Sequence, residues 1–154
     1  TKTAFLESPT NPTLELVDIA GVAEIVHAAG ATLVVDNVFA TPLFQHPIKL
    51  GADCVVYSAT KHIDGQGRVL GGVILGSEKF IADHIHNFLR QTGPCLSPFN
   101  AWTLLKSLET LPVRVQAQAR RSRAPWPSRR ARRAAARGGN GADTQPLSGS
   151  RPRR

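Results

Sequence analysis

Three short apolar runs punctuate the chain: Thr32-Leu33-Val34-Val35-Asp36, Asp53-Cys54-Val55-Val56-Tyr57-Ser58 and Gly72-Val73-Ile74-Leu75-Gly76. Each is too short for a stable helix and rich in β-branched residues, so each predicts a buried strand. Thr1 to Glu7 reads as a fourth strand. Between the first two, apolar residues recur at helical spacing (Leu16, Ile19, Ala20, Ala23, Val26, Ala29), predicting a helix over 14–29 that stops at Gly30. Ser77 is placed to cap a helix carrying Phe80, Ile81, Ile85, Phe88 and Leu89 on one face. Ser97 starts another helix over 98–111, and Leu111 to Ala117 continues in helical pattern. Continuous apolar strands separated by helices predict an α/β fold, with a mostly parallel sheet, flanking helices and both sheet faces covered.

Charge divides the 154 residues into two segments. Their net charge of +8 is not spread evenly: residues 1–119 carry 8 Lys/Arg against 10 Asp/Glu, whereas residues 120–154 carry 11 Arg and one acid, Asp143. The domain organisation expected is therefore a globular segment over 1–119 and an Arg/Ala/Pro-rich tail over 120–154. The tail's bulky apolar residues are Trp126 and Leu147, too few to offset the entropy of ordering it, so disorder is expected. Three readings of the tail remain open: a basic nucleic-acid-binding arm, a solvated extension, or out-of-frame translation of GC-rich DNA. The last is favoured, because the composition changes inside a helical pattern rather than after one. Nucleic acid is accordingly not the expected partner. There is no Met, and the first residues already read as a strand, so the sequence is expected to begin within a domain. No apolar run approaches the roughly 20 residues of a membrane span.

Candidate chemistry sits at strand ends, where ligands bind in open α/β sheets. Asp36 closes one strand and serves either as a binding group or as a cap for the following turn. Ser58-Ala59-Thr60-Lys61 closes the next. Its two hydroxyls and its amine suit a phosphate, although a polar turn with a solvated lysine would read the same. Gly65-Gln66-Gly67-Arg68-Val69-Leu70-Gly71-Gly72 lacks dinucleotide-loop spacing and leads into a strand, so its glycines are expected to shape a tight loop near Lys61. His84 and His86 lie two apart on a helix and cannot chelate together. No metal site is expected. Of the remaining histidines, only His62 neighbours a residue of interest. Cys54 and Cys95 have no partner at metal or redox spacing and read as reduced thiols.

Taken in order, Glu7-Ser8-Pro9-Thr10-Asn11-Pro12, Val35-Asp36-Asn37-Val38-Phe39-Ala40-Thr41-Pro42 and Tyr57-Ser58-Ala59-Thr60-Lys61 resemble the Cys/Met-metabolism family of pyridoxal 5'-phosphate (PLP) enzymes. The resemblance runs from about Thr1 to about Ala117, the middle of the family's large domain. It implies the aspartate-aminotransferase-like (fold type I) architecture and PLP as cofactor. It implies Lys61 as the catalytic Schiff-base lysine and Asp36 as partner of the pyridine nitrogen. Ser58 and Thr60 would be phosphate contacts, with Asn11 near the phenolic oxygen. Residues 61–72 and 93–102 look most like the family's O-succinylhomoserine sulfhydrylase branch. That branch implies a γ-replacement yielding homocysteine and succinate in methionine biosynthesis, with synthases and lyases of the family as alternatives. A small-molecule amino-acid substrate, a cytoplasmic setting and a homotetramer or dimer of dimers are implied likewise. The family's upstream phosphate loop, stacking aromatic and substrate-carboxylate arginine are not among these residues. Little or no turnover is therefore expected from this polypeptide alone.

Overall fold

A computed structural model describes residues 1–123. Four strands build one sheet in the order β1-β2-β3-β4: β1 (Thr3–Glu7), β2 (Thr32–Asp36), β3 (Cys54–Ser58) and β4 (Gly72–Gly76). The first three are parallel, and β4 returns antiparallel to β3. Helix α1 (Ile19–Ala28) makes the β1–β2 crossover. The short helix α2 (Thr41–Phe44) and a tight turn over Pro47–Leu50 lead from β2 to β3. All four predicted strands form, and the mostly parallel α/β architecture is as expected.

Helix α1 is shorter than its apolar pattern predicts. It starts at Ile19 because the Asp18 side chain accepts the Gly21 amide and caps it. The preceding stretch is held out of the helix instead, where the Val17 amide donates to the Ser8 hydroxyl at 3.1 Å. Ile19, Ala23 and Val26 are buried, whereas Leu16 is 78% exposed. Ser77 and Ser97 are N-caps as expected, accepting the amides of Phe80 and Asn100. Ser77 opens a helical stretch of α3 (Glu78–Phe80), a wider π-type segment Ile81–His86, and α4 (Asn87–Thr92). Ser97 opens α5 (Pro98–Leu108), and α6 (Leu111–Arg123) follows. The first four residues assigned to the tail thus extend α6; the expected disorder of the rest of it lies outside the described residues.

The core lies on one side of the sheet. Side chains alternate along a strand, and the register pairs Ala4 with Leu33, Leu6 with Val35 and Val35 with Val55. These share a face with the apolar stripe of α1, and Leu33, Val35 and Val55 are at most 1% exposed. The opposite face carries Phe5 beside Val34 and is more open among the described residues: Phe5 is 64% exposed. The β3–β4 part of that face is covered, since Cys54 on it is buried and Phe80 and Ile81 lie against Gly76, its register partner, so the expected second layer is left open only toward β1 among the described residues.

Candidate active site

The parallel strands deliver their carboxyl ends to one edge, and three of those ends are polar: Glu7, Asp36 and Ser58. Glu7 is the register partner of Asp36, and Asp36 that of Val56, two residues before Ser58. By alternation the three side chains leave the sheet on the same, more open face. Immediately beyond Ser58 the chain turns through a π-type segment, Ala59–Ile63, whose helical geometry breaks at Lys61 (φ −85°, ψ −114°). That break brings Lys61 to a cavity of about 570 Å³ lined also by Glu7, Asn11, Phe39, Thr60 and His62. Gly65 and Gly67 lie on its rim with φ of +72° and +68°, which L side chains rarely adopt, so the glycine loop does bend close to the lysine.

Of the residues singled out in the sequence, Asn11, Thr60 and Lys61 meet in this cavity; Asp36 and Ser58 end the adjoining strands without lining it. The capping role open to Asp36 is realised, since its Oδ1 accepts the Val38 amide at 3.0 Å. Thr60 Oγ1 accepts the Gly71 amide at 3.1 Å, closing the glycine loop onto the lysine turn. None of the ion pairs among the described residues includes Lys61. No carboxylate of the described residues therefore lies within ion-pair distance of the Lys61 amine, although Glu7 lines the same cavity.

Other residues that shape the site were missed in the sequence. Glu7 lines the cavity, and its Oε2 accepts the Asn11 amide at 2.8 Å, folding the segment after β1 back over the strand end. Asn37, fully buried, shares its two amide hydrogens among the Tyr57 hydroxyl (2.8 Å) and the carbonyls of Gln45 (3.0 Å) and Thr41 (3.2 Å). Gln45 donates to Asn37 Oδ1 and to the Ser8 carbonyl, joining the segments that follow β1 and β2. Asp64, also fully buried, accepts the Arg68 amide at 2.6 Å and pairs with its guanidinium at 2.9 Å. Burial pushes the Asp64 carboxyl up, but these hydrogen bonds and the arginine charge outweigh burial and hold it below the ordinary value. Arg114, on α6, donates to carbonyls just after Lys61. Burial and the Arg114 charge press the His62 imidazole below its ordinary value, so it is neutral at neutral pH. A polar residue directly after a strand end was the one available signal for Asn37; nothing local marked Arg114.

Known proteins resemble this chain in sequence and in fold. The family model for Cys/Met metabolism PLP-dependent enzymes matches residues 1–124. An O-succinylhomoserine sulfhydrylase of Mycobacterium tuberculosis is 61% identical over 116 residues, 75% of this chain and 29% of that protein. One from Pseudomonas aeruginosa is 61% identical over 117 residues, 76% of this chain and 29% of that protein. The crystal structure of a cystathionine gamma-lyase from Lactobacillus plantarum, complexed with L-serine, superposes with a TM-score of 0.70 at 34% identity. It covers 73% of this chain and 29% of that one. The chain thus spans under a third of the length of the relatives it matches. From the matched residues and the shared fold, this chain belongs to the Cys/Met-metabolism family of PLP-dependent enzymes.

Proposed function

We propose that the chain supplies the cofactor-anchoring part of an enzyme that replaces the γ-substituent of O-succinylhomoserine with sulfide, giving homocysteine and succinate. The observation that carries the reading is the lysine amine in a cavity at the carboxyl edge of the sheet, next to the strand that ends in Asp36. The branch is supported by the 61% identity to two sulfhydrylases.

The residues suit the cofactor by chemistry. Lys61 offers an amine without an acidic partner to hold an aldehyde, and Asp36 offers a carboxylate oxygen besides the one bonded to Val38. Asp36 would keep the ring nitrogen protonated, Ser58 and Thr60 would donate to the phosphate, and Asn11 would lie by the phenolic oxygen. Bound there, the cofactor supplies an electron sink for charge developing at the substrate's Cα. With substrate bound, the Lys61 amine would be the base that removes the Cα proton and then a Cβ proton, so that succinate can leave Cγ, and would return protons to Cβ and Cα after sulfide adds at Cγ. The neutral His62 imidazole leaves the cavity wall without a second cation competing with Lys61 for acidic groups.

The test is covalent. Purified chain is incubated with PLP, reduced with borohydride and digested, and the modified lysine is located by mass spectrometry. Modification at Lys61, absent in Lys61→Ala, is expected; modification spread over Lys2, Lys49 and Lys79 would reject the assignment. For the reaction, the 116 residues matched in the Mycobacterium tuberculosis sulfhydrylase are replaced by those of this chain. Homocysteine from O-succinylhomoserine and sulfide is expected, whereas keto-acid release without sulfide incorporation would move the chain to the lyases.

A further inference from the structure

Arg114 reaches from α6 to the turn that carries Lys61. Its Nη1 donates to the His62 carbonyl at 2.8 Å and its Nη2 to the Ile63 carbonyl at 3.0 Å. Nη2 also donates to the Ser107 carbonyl at 3.0 Å, and Nε to Thr110 Oγ1 at 3.0 Å. One planar guanidinium thus ties the two residues directly after Lys61 to the end of α5. The turn needs such an outside donor because its helical geometry breaks at Lys61. From within, it is closed by the Asp64 amide on the Ala59 carbonyl (2.8 Å) and the Gly65 amide on the Lys61 carbonyl (2.7 Å). The fit leaves no slack on the far side: a β-carbon at Gly65 would strike the Arg114 guanidinium. Arg114 does not line the cavity, so any effect on chemistry there passes through the backbone of residues 61–63.

We infer that Arg114 is a positioning residue for Lys61, fixing the backbone from which the amine enters the cavity. This rests on the reading that Lys61 holds the cofactor. The requirement is for a fork. Three carbonyls and a hydroxyl are met by a rigid plane with five donors, and a lysine ammonium at the end of a flexible stem cannot span them. Displacing a reacting group by about 1 Å costs up to about 100-fold in rate, so loosening this turn should show in the rate at which Lys61 captures its cofactor.

The experiment compares the full chain with Arg114→Lys and Thr110→Ala. Three quantities are read: the rate of borohydride-trappable PLP attachment at Lys61, hydrogen exchange of the Asp64 and Gly65 amides, and the thermal midpoint. Arg114→Lys should capture PLP about tenfold more slowly, with faster exchange at both amides. Thr110→Ala, which changes an exposed side chain and leaves the guanidinium in place, should be intermediate, about threefold slower; it carries the test if Arg114→Lys does not fold. Guanidinium added to Arg114→Ala at concentrations below those that unfold the chain should restore capture. A lowered midpoint with unchanged capture rate and unchanged exchange would make Arg114 a strut between α6 and the rest, and the inference would be wrong. If the wild type captures no cofactor at Lys61, the functional reading itself fails, and the positioning role falls with it.

Discussion

The side-chain amide of Asn37 meets the hydroxyl of Tyr57 at 2.8 Å, joining the turn after β2 to the strand that leads into the lysine turn. Both residues are buried, so the contact is shielded from water. Removing Asn37 strands the tyrosine hydroxyl and the Gln45 carbonyl, while the Thr41 carbonyl keeps the Gln45 amide. Asn37→Ala should cost about 3 kcal/mol, because it leaves buried polar groups unpaired, and Tyr57→Phe about 1 kcal/mol, because the Asn37 amide keeps its two carbonyl acceptors. Urea unfolding of the two single variants and the double variant measures both. The double should be less destabilised than the sum, and strict additivity would mean that the bond contributes nothing.

Asp64 gives the fold an acid-sensitive element. Its carboxyl is held below the ordinary value of 3.8, so the folded state binds its proton less readily than the unfolded chain. The stabilisation is fully present above that value and is lost as pH falls through the lower folded one. Asp64→Asn should be less stable than wild type at neutral pH, with the difference closing in acid. Denaturation curves at neutral pH and at successively lower pH check this; a gap that widens in acid would contradict the assignment.

Asp36→Asn separates the two roles of that side chain. The amide oxygen can still accept from Val38, so the turn should hold and the thermal midpoint should change little. The lost charge should weaken PLP retention by about 10- to 100-fold, the equivalent of one charge-assisted hydrogen bond. Equilibrium dialysis against PLP measures the affinity. Unchanged affinity would remove Asp36 from the cofactor site.

The two cysteines should differ sharply in reactivity. Burial, reinforced by the neighbouring Asp53 charge, pushes the Cys54 thiol up, and its side chain lies in β3 away from solvent. Cys95 is exposed. A thiol reagent applied to the native chain should modify Cys95 and reach Cys54 only after denaturation. Prompt modification of both would show that β3 is not protected.

Much of the architecture is carried by local pattern. The β-branched runs are too short for helices and flanked by glycines and turn residues, so β2, β3 and β4 follow from sequence with little error. Ser77 and Ser97 cap as read because capping needs only the amides two or three residues on. Periodicity alone places the start of α1 too early, because Leu16 continues the pattern while Asp18 and a distant Ser8 decide where the helix begins.

What the amino acids alone determined is the order of elements, the strand-end placement of Asp36 and of Ser58 to Lys61, and the family. These depend on periodicity and on contiguous motifs, which a linear chain displays directly. Only the tertiary structure decided that Glu7, Asp36 and Ser58 leave one face together, that Asn11 and Lys61 share a cavity, and that Arg114 holds the lysine turn. Each depends on strand register or on side chains meeting across as many as 52 positions. Such contacts form because packing brings distant segments together, and no local pattern records them.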